Sequence, residues 1–157
     1  MTRSEPVQPS LGQLPDIILI AGTKTKLTGA APARELYTGS LFRKARSYAE
    51  QSGVLWFIIS AQHGLVRAEE VLDPYDCSQG DQSAPARGRW AVRVGSQLED
   101  ALGGLSGKTI EVHTGSTYAG PLREVLSTLG MTVAEPLAGL GLGRRLGWYD
   151  RRLASSV

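Results

Sequence analysis

The chain has one cysteine, Cys77, and two histidines among its 157 residues. A single thiol excludes an internal disulfide. A zinc site built from four cysteines, or from two cysteines and two histidines, is beyond this ligand supply. No apolar run approaches the length of about 20 residues that a membrane-spanning helix needs. The N-terminus lacks a hydrophobic signal core, which together with the lone thiol favours a reducing cytoplasm. The phosphate signatures G-x-x-x-x-G-K-[ST] and G-x-G-x-x-G are missing. So is the G-x-S-x-G elbow, which argues against acyl transfer. Net charge is only +2, so global charge does not announce a nucleic-acid binder.

What is present is ordinary for a globular protein: 41% hydrophobic and 20% charged residues, in a chain long enough to bury a real core. Met1–Pro15, rich in Pro, Ser and Gln, is expected to be a flexible tail, and residues 16–157 a single domain. Apolar runs predict strands at 16–21, 54–60, 109–113 and 131–134. Helical spacing and stop signals predict helices from Ser40 to about Gln51, 86–102, 118–129 and 140–153. Residues 28–39 are expected to be a connection, 67–71 a helical turn, and 78–83 a mobile loop. Trp56, Trp90 and Trp148 are expected in the core. This alternation predicts a three-layer α/β fold, with a mainly parallel four-stranded sheet and helices on both faces.

In such a sheet, ligands bind beyond the carboxyl ends of the strands. The polar clusters all fall there. Gly22-Thr23-Lys24-Thr25-Lys26 can cradle a phosphate, or be a plain polar turn. Ser60-Ala61-Gln62-His63-Gly64 stops an apolar strand with a hydroxyl, an amide and an imidazole. His63 suits acid–base work, or a turn cap. Asp73-Pro74-Tyr75-Asp76 sets two carboxylates around a rigid pair. An Asp there can position water or offset a growing cation, and Tyr75 can stack on a flat ring; an ordinary Asp-Pro turn is the plainer alternative. His113-Thr114-Gly115-Ser116-Thr117-Tyr118 opens a helix whose N–H groups favour an anion, with Ser116 or Thr117 as the alternative cap. Arg144, Arg145, Arg151 and Arg152 form either a solvated helix face or a phosphate-facing patch, as do Arg43, Lys44 and Arg46.

Several segments resemble known families. Ala31-Pro32-Ala33-Arg34-Glu35-Leu36-Tyr37-Thr38-Gly39, then Ser60-Ala61-Gln62-His63-Gly64-Leu65-Val66 and Leu72-Asp73-Pro74-Tyr75, resemble segments of the bacterial YaaA family. With Pro136-Leu137-Ala138-Gly139-Leu140-Gly141-Leu142-Gly143, the likeness is closer still to a family of small bacterial domains, over most of residues 17–147. YaaA-like proteins are linked to DNA binding and peroxide stress, and wider relatives have a uracil-DNA-glycosylase-like α/β fold. In uracil-DNA glycosylases an Asp-Pro-Tyr loop serves the water or the sugar cation, and a His-Pro-Ser-Pro loop faces the base. Asp73-Pro74-Tyr75 is similar to the first and His113-Thr114-Gly115-Ser116 loosely similar to the second.

The expectation that results is a nucleobase-recognising N-glycosidic-bond hydrolase, most simply a DNA glycosylase for a damaged or modified base. Asp73, Asp76, His63 and His113 form the expected catalytic set. Ser60, Gln62, Tyr75, Thr23, Tyr37, Ser116 and Tyr118 would bind substrate, and Lys24, Lys26, Arg144 and Arg145 would hold phosphates. The partner is DNA, or a free nucleotide or nucleoside; no membrane, cofactor or metal is required. The alternatives are a non-enzymatic, YaaA-like DNA-binding stress protein and an enzyme of free nucleotides or nucleosides.

Overall fold

A computed structural model describes residues 14–76 and 82–155. The first strand, β1 (Ile17–Ala21), is buried on both faces. An unbroken run of β-branched and leucine side chains suits that position, because a strand covered on both sides needs no polar alternation. β1 pairs in parallel with β3 (Leu55–Ser60) on one side and β6 (Thr109–His113) on the other. β7 (Thr132–Ala134) adds in parallel to β6, and β4 (Gly64–Val66) adds antiparallel to β3. The sheet order is β4-β3-β1-β6-β7.

Alternation along the strands sorts the core into two layers. Ile17, Leu19, Phe57, Ile59, Ile110 and Val112 face Trp90, Val94 and Leu98 of α3 (Ala84–Leu102) and Leu122 and Leu126 of α4 (Ser116–Thr128). Ile18, Ile20 and Ile58 face Phe42, Ala45 and Ala49 of α2 (Ser40–Ser52) and Trp148 and Tyr149 of α5 (Leu142–Ser155). The expected α/β layering with helices on both faces is therefore present, and the three tryptophans pack in or against the core as expected.

The four-strand expectation is corrected to five strands in a mixed sheet. The missed strand, β4, is three residues long and follows a polar loop, so no periodicity announces it. A two-stranded ribbon was also missed: β2 (Ala31–Pro32) pairs antiparallel with β5 (Val71–Leu72), and the short helix α1 (Ala33–Leu36) follows β2. The helical turn expected over 67–71 is instead a turn closed by Glu70 N–H to Arg67 C=O at 3.1 Å, after which the chain enters β5. Gly39 and Gly115, not Ser40 or Ser116, occupy the N-cap positions of α2 and α4, and neither helix has a side-chain cap. Ser83 caps α3, its hydroxyl accepting from Ala86 N–H at 3.3 Å. Met1–Gln13 of the expected tail, Cys77, and Ser78–Asp81 of the expected loop lie outside the described residues. Among the described residues no helix is long and apolar enough to cross a membrane.

Candidate active site

The Ser60–Gly64 segment is a hairpin joining β3 to β4, with Ser60 paired to Gly64. Gly64 takes a φ of +73°, which closes the three-residue loop at little cost only for glycine. Ser60 Oγ accepts from the N–H groups of Gln62 (3.2 Å) and His63 (3.0 Å) and so shapes the turn. From α3, Trp90 Nε1 donates to Ser60 C=O (2.9 Å) and Arg93 donates to the Gln62 and His63 carbonyls. Gln97 bonds both the His63 carbonyl and the Leu65 N–H. The turn is thus clamped from behind, and its side chains are presented on a rigid support.

Ser60 Oγ, fully buried, donates its own proton to the Tyr75 hydroxyl at 2.7 Å. The Tyr75 hydroxyl meets the Tyr37 hydroxyl at 2.5 Å. Burial, and then the bond to Tyr75, push the Tyr37 phenol well above its usual range. Lys26 Nζ lies 4.3 Å from the Tyr75 ring centre, and the half-buried His63 ring meets Tyr75 edge-on at 5.2 Å. Five residues from four stretches of the sequence therefore form one cluster.

Beside it, between the carboxyl ends of β1 and β6, lies a cleft of about 320 Å³. From β1 the chain crosses to β3 on one side, and from β4 it crosses back to β6 on the other, so this is the point where the winding reverses. Open α/β sheets bind their ligands at that junction. Gly22, Thr23, Thr114, Gly115, Thr117, Tyr118 and Arg145 contribute to the wall, with Phe42 and Leu137 supplying apolar surface. The hydroxyls of Thr23 and Thr114 are buried and have no hydrogen-bond partner among the described residues. Arg145 Nε donates to Leu140 C=O at 2.8 Å, which directs the guanidinium to Gly115 at the uncapped start of α4.

The inner wall holds a buried polar chain. Glu111 and His113 alternate with Ile110 and Val112, so they share the β6 face turned to α2 and α5. Glu111 Oε1 accepts from Tyr48 O–H (2.8 Å) and from His113 Nε2–H (2.7 Å). His113 Nδ1 meets the Tyr149 hydroxyl at 2.8 Å. The Glu111 and His113 residues are 4% and 3% exposed. Burial raises the Tyr149 phenol, as does the charge of Glu111, against a smaller lowering by Arg145. Burial, and then Glu111, raise Tyr48.

A family profile described as "Family of unknown function (DUF6884)" matches residues 17–151. The chain belongs to this family. None of the curated proteins compared with it matches.

For this member of the family, the residues expected from sequence divide into three groups. Thr23, His113, Tyr118 and Arg145 line the cleft, and Ser116 opens the helix at its edge. Ser60, His63, Tyr75, Tyr37 and Lys26 form the hydroxyl cluster. Asp73, Asp76, Gln62, Lys24 and Arg144 are exposed and belong to neither group. Glu111, Tyr149, Thr114, Arg93 and Gln97 were not anticipated. Among the described residues no group of three or more His, Cys, Asp or Glu side chains is arranged to hold a metal ion.

Gly22 joins the two clusters. A Cβ on Gly22 would lie 2.5 Å from the Tyr37 ring, closer than any side chain tolerates without a shift. Gly22→Ala is therefore expected to displace Tyr37 from Tyr75 and lower stability by about 1–3 kcal/mol, as overpacking does. Urea denaturation reads the loss; an unchanged midpoint would show that the ring yields freely.

Proposed function

We propose that the chain recognises a nucleotide unit and hydrolyses its N-glycosidic bond, most plainly as a DNA glycosylase acting on a damaged or modified base. The cleft at the β1/β6 junction carries this reading. Its volume stands at the lower end of small-molecule sites, about 300–1,000 Å³. That suits one nucleotide, free or turned out of a strand, and not a stacked duplex. Phosphate would lie between Arg145, the Thr114 hydroxyl and the free N–H groups at the start of α4. Exposed Lys24 and Arg144 would hold flanking phosphates. Tyr75 would stack on the base, with Gln62 and His63 at the base edges and buried Ser60 holding the Tyr75 hydroxyl in place. Asp73, two residues before Tyr75, would position water and offset charge on the sugar. A relation to YaaA, a uracil-DNA-glycosylase-like fold and a cytoplasmic setting belong to the same proposal.

The test is incubation with duplexes carrying a panel of modified bases, and with free nucleotides, followed by mass spectrometry for free base. Release is expected from at least one substrate. Asp73→Asn should abolish it with the fold intact, since Asp73 is exposed. Arg145→Ala should weaken substrate binding by about tenfold or more, the loss of a charge-assisted contact. Salt-sensitive duplex binding with no base released from any substrate would instead support the DNA-binding stress protein.

A further inference from the structure

The Glu111–His113–Tyr149 chain is costly to bury, and recognition of phosphate or base does not require it. A carboxylate taken out of water into a strand core is no better for stability than apolar residues of the same size, so its retention calls for another reason. With Glu111 as a carboxylate, the hydrogen bonds order donors and acceptors along the chain. A carboxylate only accepts, so His113 Nε2 carries a proton toward Glu111. In the neutral ring Nδ1 is then the acceptor, and the Tyr149 hydroxyl donates to it. Tyr149 oxygen is left with lone pairs, and both His113 and Tyr149 belong to the cleft wall.

The geometry points to a proton-accepting relay built into the cleft. Tyr149 takes a proton from a water or hydroxyl group bound there while its own proton passes to His113 Nδ1, and Glu111 holds the imidazolium so formed. One O–H bond breaks in the bound nucleophile, one forms on Tyr149, and the Tyr149 proton moves to nitrogen; no further reactant is needed. The logic is that of a carboxylate, an imidazole and a hydroxyl in series, with tyrosine in place of serine. The burial that raises the Tyr149 phenol keeps it protonated at rest, as a relay requires. Arg145, on the same cleft, favours the negative charge that passes through Tyr149. The relay rests on the proposed function only for its substrate; it would activate any hydroxylic nucleophile held in the cleft.

The test treats the full chain with benzenesulfonyl fluoride and maps modified tyrosines by peptide mass spectrometry. The Tyr149 oxygen attacks sulfur, fluoride leaves, and the phenol proton goes to His113. Tyr48 is the internal comparison: it also bonds Glu111, is more exposed than Tyr149, and does not bond the imidazole. Tyr149 is expected to react faster than Tyr48, and about tenfold or more slower in His113→Gln and Glu111→Gln, the scale on which a positioned base acts. No modification of Tyr149, slower reaction than at Tyr48, or equal rates in folded His113→Gln would overturn the relay. Modification of Tyr149 without base release from the substrate panel keeps the relay and removes the glycosidase. Base release at the wild-type rate by Tyr149→Phe does the reverse.

Discussion

Glu111→Ala is expected to cost about 3 kcal/mol or more of folding stability, a large share of the roughly 5–15 kcal/mol that holds a domain together. The substitution removes the acceptor of two buried donors, Tyr48 O–H and His113 Nε2–H. Each buried donor left without a partner costs about 1–3 kcal/mol, and the lost methylenes add a cavity term. Glu111→Gln should cost less, because its amide oxygen still accepts from one of the two. Urea denaturation of both variants measures the difference. A loss under about 1 kcal/mol in Glu111→Ala would mean that the network is solvated or relaxes, and that Glu111 is not buried as described.

The strand that carries Glu111 was legible in the sequence, and so was His113 as a site residue, but Glu111 beside it was not. Thr109–His113 was placed correctly, and in any strand Glu111 and His113 must share one face opposite Ile110 and Val112. That spacing is the signal which could have found the pair. Tyr48 and Tyr149 could not have been found this way, since they come from α2 and α5 and meet Glu111 and His113 only through packing. Ile17–Ala21 and the amphipathic faces of α2 and α3 were legible for the opposite reason, because local periodicity alone decides them. The Ser60–Gly64 loop shows the limit from the other side. Its residue types announced chemistry, but Ser60 shapes a hairpin turn as well as bonding Tyr75. Arg93 and Gln97, one helical turn apart on α3, hold that hairpin from about thirty residues away in sequence. The cleft at the β1/β6 junction was foreseeable as the convergence of strand-end loops; the exposed Asp73 and Asp76 follow the β2–β5 ribbon, whose two-residue strands leave no pattern.

Stability should fall steeply in alkali, and three tyrosines, Tyr37, Tyr48 and Tyr149, should carry the slope. Tyr37 and Tyr149 are 2% and 1% exposed, and burial raises both phenols well above the usual range. In the unfolded chain each ionises near a pH of about 10. Below that value both states keep the proton and the full stability is present. Above it the unfolded chain releases protons that the folded chain retains, so stability declines as pH rises until the folded groups ionise too. Each fully buried group contributes about 1.4 kcal/mol per pH unit, so Tyr37 and Tyr149 together give about 2.7 kcal/mol per pH unit, and half-buried Tyr48 adds to it. A domain of ordinary stability then unfolds within a few units above pH of about 10. Tyr149→Phe should lower stability at neutral pH, because the bond to His113 is lost. It should also remove about a third to a half of the alkaline slope, and that second change is the diagnostic one. Urea denaturation from pH of about 8 to 11, on the wild type and on Tyr37→Phe and Tyr149→Phe, separates the two effects. An equal slope in all three proteins would show that both hydroxyls ionise as freely in the fold as in water. The Tyr149 hydroxyl would then be too wet to pass its proton to His113 in preference to solvent.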